Sequence, residues 1–455
     1  MSKGARGKGC RGMLLLCLLM AFLCGFTIAR AEEGVPLNSG KQNPIVKHVL
    51  KNGLTILIKP SAANQVVTVD AFVRMGARYE TKDSRGISAL MQRVLTKGTT
   101  TRGAREIAFA TESVGSTIDA KIADYHYGRV SLRSTLSGIQ PGIDLFLDVL
   151  SHPSFHENEV AKEREMLIQE LSADGDQPTS FAYRNFLMLF YEDNSIGVSP
   201  ETMIENLKHM TKADLERWYR MVYVPKNMVI SVVGNVNPEW IISKIEEVWG
   251  KIPEGKPISA QRDGERSNAD DRQVIKKRES QALFMILGYP APAMGDADYP
   301  TMEVISYILG GDMGSRLFVD LRDQKGLAYT VNTIYNAGNY PSHILAFMAT
   351  KPTNYQLAKE GLIAEFKKIA SEPVGPVELA EAKQAIRGRF MMVHETNANQ
   401  SALLGSFELN GLGYRYDETY PELVEKVTAD DIQRVAKAYF KHYTMSVVSP
   451  VDLKD

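Results

Sequence analysis

Two segments of the chain, "MTKADLERWYRMVYVPKNMVISVVGNV" (Met210–Val236) and "VTADDIQRVAKAYFKHYTMSVVSPV" (Val427–Val451), share one pattern. Each has a threonine suited to cap a helix, then an Asp-containing first turn, and then a helix that runs into a β-branched strand. A second pair, "PSFHENEVAKEREML" (153–167) and "EPVGPVELAEAKQAI" (372–386), follows the same order, with a Pro-containing turn before an amphipathic helix. Two ordered matches predict a duplicated unit, and a period of roughly 200 residues excludes a solenoid.

Within each predicted unit, hairpin-forming strands alternate with long helices. "GLTILIKP" (53–60) and "VVTVDAFV" (66–73) are strands of this kind. The pattern predicts an α+β fold of two homologous α/β-roll halves, each a mainly antiparallel sheet with helices packed on one face. Residues 251–273 are rich in Pro, Gly and charge and lack apolar periodicity, which predicts a linker between a first domain at 45–250 and a second at 274–450.

The first 31 residues have the features of a signal peptide. A basic start precedes the apolar run Met13–Gly25, and Ala29-Arg30-Ala31 offers a small-x-small cleavage site. We expect cleavage and export to an oxidising compartment, with an uncleaved anchor as the alternative. Lipid attachment at Cys24 is disfavoured, because Leu23 stands where a small residue is expected.

The leader changes what composition says about the mature chain. All three cysteines (Cys10, Cys17 and Cys24) lie in it, so no disulfide, thiolate ligand or thiol nucleophile is expected after cleavage. Five of the 53 basic residues and none of the 54 acidic ones lie there, so 48 basic and 54 acidic residues remain, a formal charge of −6. This balance argues against a general binder of nucleic acids or anionic membranes.

The stretch "GISALMQRVLTKGTT" (Gly86–Thr100) predicts an amphipathic helix. Its apolar stripe has 3.6-residue periodicity and consists of Ile87, Leu90, Met91, Val94 and Leu95. A second face at the same spacing holds Ala89, Gln92 and Arg93, a methyl, an amide and a guanidinium.

The histidines do not predict a metal site. The chain has eight, at positions 48, 126, 152, 156, 209, 343, 394 and 442. His152 and His156 have the i, i+4 spacing of zinc ligands on a helix, but Pro153 lies between them and indicates a turn with solvated side chains. Neither order of the zinc-peptidase motif, His-x-x-Glu-His or His-Glu-x-x-His, occurs, and no Gly-x-Ser-x-Gly elbow or phosphate-binding Gly loop is present.

A further stretch, "LGGDMGSRLFVDLRDQKGLAYTV" (Leu309–Val331), predicts a short helix at Arg316–Arg322 followed by a turn into a strand. Together with the stretches above, it gives the chain a recognisable pattern. Over Lys47–Pro450 the sequence resembles the pitrilysin/insulinase family of zinc peptidases, the inverzincins. The similar segments, in order, are "LKNGLTILI", "VRMGARYE", "GISALMQRVLTKGTT", "EREMLIQEL", "YVPKNMVISVVGNV" and "GGDMGSRLFVDLRDQKGLAYTV".

The resemblance implies that the zinc site has been lost. In this family the first-half helix carries His-x-x-Glu-His, in which two imidazoles bind zinc and the Glu is the general base. The matching positions are Ala89, Gln92 and Arg93, whereas the third ligand matches Glu170 and an accompanying acid matches Glu163. An alanine has no donor atom, an amide is no base, and a guanidinium stays protonated and repels a dication.

Carboxylates that have lost a metal need another cation. The sequence therefore predicts that Arg93 takes the metal position and pairs with Glu170 or Glu163. A solvated Arg93 near exposed acids is the alternative.

The resemblance also implies a role for Arg322 and Tyr329 as substrate-binding residues. In the family, the matching Arg and Tyr hold the substrate backbone and stabilise the oxyanion, which suits two hydrogen-bond donors. The alternative is a structural ion pair for Arg322 and sheet packing for Tyr329.

A lost zinc motif beside a retained Arg/Tyr pair is similar to the non-catalytic subunit of two-chain family members. The resemblance implies a heterodimeric periplasmic zinc peptidase that acts on unfolded peptides, with zinc only in a homologous partner and no metal or other cofactor in this chain. "GSTIDAKIADYHY" (Gly115–Tyr127) matches the peptide-binding edge strand, so Asp119–Lys121 are candidates for backbone contacts. The alternative function is a structural or peptide-binding scaffold subunit with no role in proteolysis. A self-sufficient peptidase is disfavoured by the losses at Ala89, Gln92 and Arg93.

Overall fold

A computed structural model describes residues 44–175, 177–192, 195–260 and 270–453. The predicted signal peptide and all three cysteines lie outside the described residues. We call residues 44–260 the first half and residues 270–453 the second half. Within the described residues, no helix combines the length and apolar character needed to cross a membrane.

The first half contains a six-stranded sheet with strand order β1-β2-β6-β3-β5-β4. Only β2 and β6 pair in parallel, and all other neighbours are antiparallel. The strands are β1 (Val46–Val49), β2 (Thr55–Pro60), β3 (Val66–Arg74), β4 (Ser116–Asp124), β5 (Tyr127–Thr135) and β6 (Met228–Gly234).

The second half contains a five-stranded sheet with the order β7-β11-β8-β10-β9, the same order as the first sheet without its outermost strand β1. Here β7 and β11 are the parallel pair. The strands are β7 (Arg272–Lys277), β8 (Leu283–Ala291), β9 (Ala328–Gly338), β10 (Tyr340–Thr350) and β11 (Thr444–Ser449). Strand β7 begins at Arg272, so the last two residues of the predicted linker pair with β11.

Helices connect the strands of both halves. Those of the first half are α1 (Ile87–Leu95), α2 (Ala104–Ser113), α3 (Ile139–Ser151), α4 (Glu157–Asp174), α5 (Pro178–Phe190), α6 (Pro200–His209), α7 (Lys212–Val222) and α8 (Pro238–Trp249). Those of the second half are α9 (Tyr299–Gly310), α10 (Tyr355–Ser371), α11 (Pro376–Val393), α12 (Asn397–Leu409), α13 (Tyr416–Glu425) and α14 (Ala429–Tyr439). The predicted fold class, two related α+β halves with mainly antiparallel sheets, is confirmed.

The predicted N-caps explain where two equivalent helices begin. Thr211 and Thr428 each accept a hydrogen bond from the backbone N–H three residues later, at Asp214 and Asp431. Each Asp carboxylate in turn accepts from its threonine's backbone N–H, which completes a capping box in both halves.

The structure adds one feature to the predicted fold, since each half supplies a helix to the other. Helix α5 packs on the second sheet, where Phe186 and Phe190 are buried with residues of β8, β10 and β11. Helix α12 packs on the first sheet, where Leu404 is buried against residues of β2, β3 and β6. These exchanged helices cover the second face of each sheet, which the amphipathic pattern had left open.

A glycine permits the close approach in both places. A Cβ on Gly405 of α12 would lie 2.0 Å from Phe72 Cε2, and a Cβ on Gly288 of β8 would lie 2.4 Å from Phe186 Cζ. Both positions therefore require a residue without a side chain. The described residues between 44 and 453 belong to one compact unit.

Candidate functional site

Helix α1 is held at its N-terminus by a buried carboxylate. Glu80 accepts hydrogen bonds from the backbone N–H groups of Gly86 and Ser88, at 2.9 and 3.0 Å. Gly86 has a φ of 96°, a conformation that favours glycine. Burial raises the pKa of the Glu80 carboxyl, and its backbone hydrogen bonds oppose that rise. Glu80 thus fixes where the predicted helix begins.

Arg93 links α1 to α4 through both acids named from the sequence. Its Nε donates to Glu163 Oε2 at 3.0 Å, and its two terminal nitrogens donate to the two carboxylate oxygens of Glu170 at 2.8 and 3.0 Å. This fork geometry suits a guanidinium and a carboxylate. The predicted pairing of Arg93 with these acids is confirmed, and the solvated alternative is wrong.

The two carboxylates of this cluster differ in exposure. The Glu163 side chain is 4% exposed and that of Glu170 is 57% exposed. Lys97 Nζ lies 3.2 Å from Glu163 Oε1, so two cations serve the buried acid. Sequence reasoning did not assign Lys97 to this cluster, although its position one turn beyond Arg93 on the same helical period was the available signal.

The protonation of Arg93 follows from these contacts. Partial desolvation lowers the pKa of its guanidinium, and the hydrogen bonds and charges of Glu170 and Glu163 more than compensate. The net effect raises the pKa of Arg93 above its usual value, so the cation is permanent.

Gln92 corrects the expectation of a shared second face on α1. Its side chain is buried and its Nε2 donates to the Tyr223 hydroxyl at 3.0 Å and lies 3.2 Å from Met75 Sδ. Burial raises the pKa of Tyr223, so that phenol stays neutral. Gln92 therefore belongs to the core, because an uncharged amide can turn inward where it finds a partner. Ala89 is partly buried against the same core.

The residues at this position do not fit a zinc ion. Both oxygens of Glu170 accept from Arg93, and Glu163 accepts from Arg93 and lies against Lys97. The buried Gln92 Oε1 has no partner within the described ranges, but one neutral amide oxygen is not a zinc ligand set. No group of three or more His, Cys, Asp or Glu side chains suited to a metal occurs in the described part of the chain.

His152 and His156 lie outside helices, as predicted from Pro153. His152 follows the end of α3, exposed, with its Nδ1 3.2 Å from Asp148 Oδ1. His156 is the exposed residue before the first turn of α4. The solvated-turn interpretation is confirmed for these two positions.

Arg322 lies in a segment with unusual winding. The predicted helix at Arg316–Arg322 is instead largely a π-helix at Phe318–Gln324, a form often found at functional sites. The Leu327 N–H donates to the Leu321 carbonyl at 2.8 Å, and Gly326, with a φ of 60°, turns the chain into β9. This wide winding ends the helix at the turn before Tyr329.

Arg322 and Tyr329 are both exposed to solvent. The Arg322 guanidinium carbon lies 4.7 Å from the centre of the Phe318 ring, and no acid pairs with Arg322 among the described residues. Tyr329 lies on the edge strand β9 and is 55% exposed. In the described part of the chain, Arg322 has no ion pair and Tyr329 is not among the side chains packed on the second-half core. Phe318 was missed from the sequence; it lies one turn before Arg322.

No hydrogen bond or ion pair in the described ranges joins Arg322 or Tyr329 to the Arg93 cluster. The residues assigned from the sequence therefore do not form one site. Arg93, Glu163 and Glu170 come together between α1 and α4, whereas Ala89 and Gln92 pack against the first-half core. Arg322 and Tyr329 lie in the second half.

Strand β4 is an edge of the first sheet, as predicted. Among the described strands it pairs with β5 alone, and α1 packs against it. Along β4 the partly buried residues Ile118, Ala120 and Ile122 alternate with exposed ones. Asp119–Lys121 thus lie on a strand with a free backbone edge, the arrangement that strand addition needs.

Two family models match the chain. The model described as "Insulinase (Peptidase family M16)" matches residues 55–199, and the "Peptidase M16 inactive domain" model matches residues 209–386. The first match contains α1 and Glu170, and the second contains Arg322 and Tyr329.

Similar chains cover nearly the whole sequence. An "Uncharacterized zinc protease" of Rickettsia felis is 28% identical over 89% of this chain and 97% of its own length. A protein of Bacillus subtilis with the same description is 25% identical over 89% of this chain and 98% of its own length.

Solved structures share the fold. A protease from Helicobacter pylori superposes with a TM-score of 0.83 at 21% identity, covering 90% of this chain and all of that one. A peptidase M16 inactive domain from Pseudomonas fluorescens gives 0.83 at 17% identity, covering 91% of this chain and all of that one.

Proposed function

Because the chain belongs to peptidase family M16, the insulinase family, as a non-catalytic member, we propose that it is the substrate-binding subunit of a two-chain zinc peptidase. Its partner is a homologous chain with an intact His-x-x-Glu-His motif. This chain supplies Arg322 and Tyr329 to the partner's zinc site, where both donate hydrogen bonds to the substrate backbone and to the oxyanion. The substrates are unfolded peptides, and the complex works in the periplasm after removal of residues 1–31.

One observation carries this proposal. Arg322 and Tyr329 are exposed and without an ion-pair partner among the described residues, whereas Arg93 is fully engaged with two acids. An exposed guanidinium above an aromatic ring keeps its N–H donors available to a ligand. The donors for an oxyanion are thus free in a chain that cannot activate water.

Strand addition at β4 is the proposed mode of peptide binding. The free edge of β4 offers backbone donors and acceptors to an extended peptide whatever its side chains are. Helix α1, which packs on β4, is fixed at its start by Glu80 and to α4 by Arg93. The salt-bridge cluster therefore supports the peptide-binding strand.

The second candidate is a scaffold subunit without a role in proteolysis. The closed Arg93 cluster favours it, because such a cluster serves structure alone. The two candidates differ in whether Arg322 matters for cleavage by a partner.

Co-purification and peptide cleavage test the proposal. The chain is purified with a homologue that carries the intact motif, and each chain and the mixture are assayed on an unfolded peptide. We expect cleavage only by the mixture, and we expect Arg322→Ala to lower kcat by on the order of 10²-fold. Arg217→Ala, which removes an exposed first-half arginine paired with Asp214, is the matched control and should leave the rate unchanged. An Arg322→Ala mixture as active as the wild type would favour the scaffold.

A further inference from the structure

The side chain of His394 bridges two oxygen acceptors. Its Nδ1 lies 2.6 Å from the Phe390 carbonyl oxygen, and its Nε2 lies 2.9 Å from both carboxylate oxygens of Asp417. A carbonyl and a carboxylate only accept hydrogen bonds, so both ring nitrogens must carry hydrogen to satisfy them. Only the protonated imidazolium has two N–H donors, and the observed geometry therefore matches charged His394.

His394 lies at the junction between α11 and α12 in the second half. It follows the last residue of α11, where the helix dipole favours a cation, and it precedes α12. Asp417 lies in the first turn of α13, after α12. The contact between His394 and Asp417 thus joins the two ends of the segment that contains the exchanged helix α12.

Further bonds connect this junction to the first sheet. Gln400 of α12 donates from Nε2 to the His394 carbonyl at 2.7 Å. Asn397, the first residue of α12, donates to the Val66 carbonyl of β3 at 2.7 Å. Ser401 of α12 lies 2.6 Å from Ser231 of β6 between their hydroxyl oxygens. The start of α12 is therefore held both at His394 and on the first sheet.

The charges around His394 come from three elements. Desolvation and Lys59 of β2 lower the pKa of His394, whereas Asp417 of α13 and the Phe390 carbonyl of α11 raise it, and the net change is upward from 6.5. Asp417 is buried, so a neutral His394 would leave that carboxylate without its cation.

A second titratable group, Glu303, faces α13 from helix α9. Glu303 of α9 interacts with Tyr416 and Tyr420 of α13, and also with Tyr299 and Arg389. Desolvation raises the pKa of Glu303 to about 7, against the hydrogen bond from Tyr299 and the charge of Arg389. Ionisation of Glu303 therefore destabilises the packing of α13, the helix that carries Asp417.

We propose that His394 and Asp417 form a proton-dependent clamp, which holds the exchanged helix α12 on the first sheet and loosens when His394 loses its proton. The clamp makes the junction between the two halves firmer in acid than in alkali. It is a property of this chain alone and does not depend on the proposed peptidase partner.

The direction of the effect follows from the two groups. His394 has a raised folded-state pKa, so its contribution is complete below 6.5 and is lost as the pH rises through the folded value. Glu303 also binds its proton more tightly in the folded state, and the stability this gives is lost as the pH rises from 4.5 to about 7. A rise in pH therefore weakens the attachment of α13 through both groups.

Hydrogen exchange of the full chain at pH 6 and pH 8 tests the clamp. After correction for the intrinsic exchange rate at each pH, we expect protection of the α12 amides to fall by on the order of tenfold at pH 8, the worth of a hydrogen bond to a charged group. His394→Gln, which has no charge to lose, should have low α12 protection already at pH 6 and should keep only the smaller pH dependence that comes from Glu303. Asp417→Asn should do the same through the other partner.

His442→Gln is the matched control. His442 lies 3.5 Å from Asp271 in another, more exposed His–Asp pair in the loop before β11, so its loss should leave the protection of α12 and its pH dependence unchanged. Nitrogen NMR of histidine-labelled protein, with the His394 signals assigned by their absence in His394→Gln, should show both ring nitrogens protonated at pH 6. Wild-type α12 protection that does not change between pH 6 and 8, or that changes equally in His394→Gln, would overturn the clamp.

Discussion

The helix pair α1 and α4 in the first half has a counterpart in α9 and α11 of the second. Leu90, Met91, Val94 and Leu95 are buried along α1, and Val304, Ile305, Ile308 and Leu309 are buried along α9 with the same spacing. This register places Glu303 at the position of Ala89 and Tyr307 at that of Arg93. Each first helix packs on the second helix of its own half.

The two helix pairs are joined at equivalent positions by different kinds of contact. In the first half a cation on the first helix, Arg93, meets an acid on the second, Glu170. In the second half the cation is on the second helix, where the Arg389 guanidinium carbon lies 4.7 Å from the centre of the Tyr307 ring. The scaffold thus keeps a link between these helices while its chemistry changes, which explains how the fold tolerates loss of the zinc ligands.

One contact is the same in both halves, a cation that caps the C-terminus of a neighbouring helix. Arg164 of α4 donates to the Met210 carbonyl at the end of α6, and Lys383 of α11 donates to the Glu425 carbonyl at the end of α13, at 2.7 and 2.6 Å. A cation capping a helix C-terminus is favourable in either half. The duplication has kept this contact and varied the one that faces the lost metal site.

The largest expected effect concerns Glu303, which the first half replaces by Ala89. Glu303→Gln should raise the free energy of unfolding above pH 7 by up to about 3 kcal/mol, because a pKa raised from 4.5 to about 7 penalises the ionised carboxyl. Below pH 4.5 the gain should vanish, since the carboxyl is then protonated in both states. Urea unfolding at pH 4 and pH 8 measures this. Glu381→Gln, at an exposed position on α11, is the control and should change stability little at either pH. If Glu303→Gln raised the free energy of unfolding equally at pH 4 and pH 8, ionisation of Glu303 would not be the cause.

Arg93→Met should have the next largest effect. It leaves the buried Glu163 with Lys97 alone, and we expect a loss of about 2 kcal/mol, below the usual cost of breaking a fully buried pair because Arg93 is 25% exposed. Arg389→Met, the matched change in the second half, removes the contact with the Tyr307 ring and an exposed hydrogen bond to the Gly311 carbonyl, and should cost less, about 1 kcal/mol. Equal losses in urea unfolding of the two variants would refute the distinction drawn between the two links.

A smaller effect separates the two acids of the first-half cluster. Glu170→Gln should cost about 1 kcal/mol at low salt and almost nothing in 1 M NaCl, because its bond to Arg93 is exposed and screened. The cost of Glu163→Gln should persist in salt, since Glu163 is buried. Unfolding of both variants in a salt series gives the comparison, and a salt-insensitive Glu170→Gln would show that exposure does not set its contribution.

The smallest expected effect is that of metal. Because Arg93 occupies both oxygens of Glu170, neither zinc nor a chelator should change the Tm, and equilibrium dialysis should find no bound zinc at this cluster. A rise in Tm with zinc that Glu170→Gln abolishes would mean that the guanidinium gives way to the metal.

Much of the fold and of the site could be predicted from the sequence because the signals are local. Periodicity located α1, and the threonine caps located α7 and α14. The pairing of Arg93 with Glu163 and Glu170 followed from charge, since acids that have lost a metal need a cation and one stood at the right place. The assignment of Arg322 and Tyr329 to substrate stays a prediction.

What was missed depends on residues far apart in the chain. Gln92 turns inward only because Tyr223 and Met75 lie beside it in the folded core. Helices α5 and α12 have ordinary amphipathic patterns. Such a pattern predicts that one face of the helix is buried, but it does not predict which sheet that face packs against. The contact of His394 with Asp417 exists only once α12 has crossed to the first sheet and brought α13 back.

The sequence by itself determined that this chain has lost the residues for zinc chemistry and that it is built from two related halves, because side-chain chemistry and helical periodicity are properties of the residues themselves. The tertiary structure alone decided that Gln92 is buried in the core, that Arg322 and Tyr329 remain exposed, and that each half covers the other's sheet. Such outcomes depend on which surfaces meet, and burial and hydrogen bonding are set by that meeting rather than by neighbours along the chain.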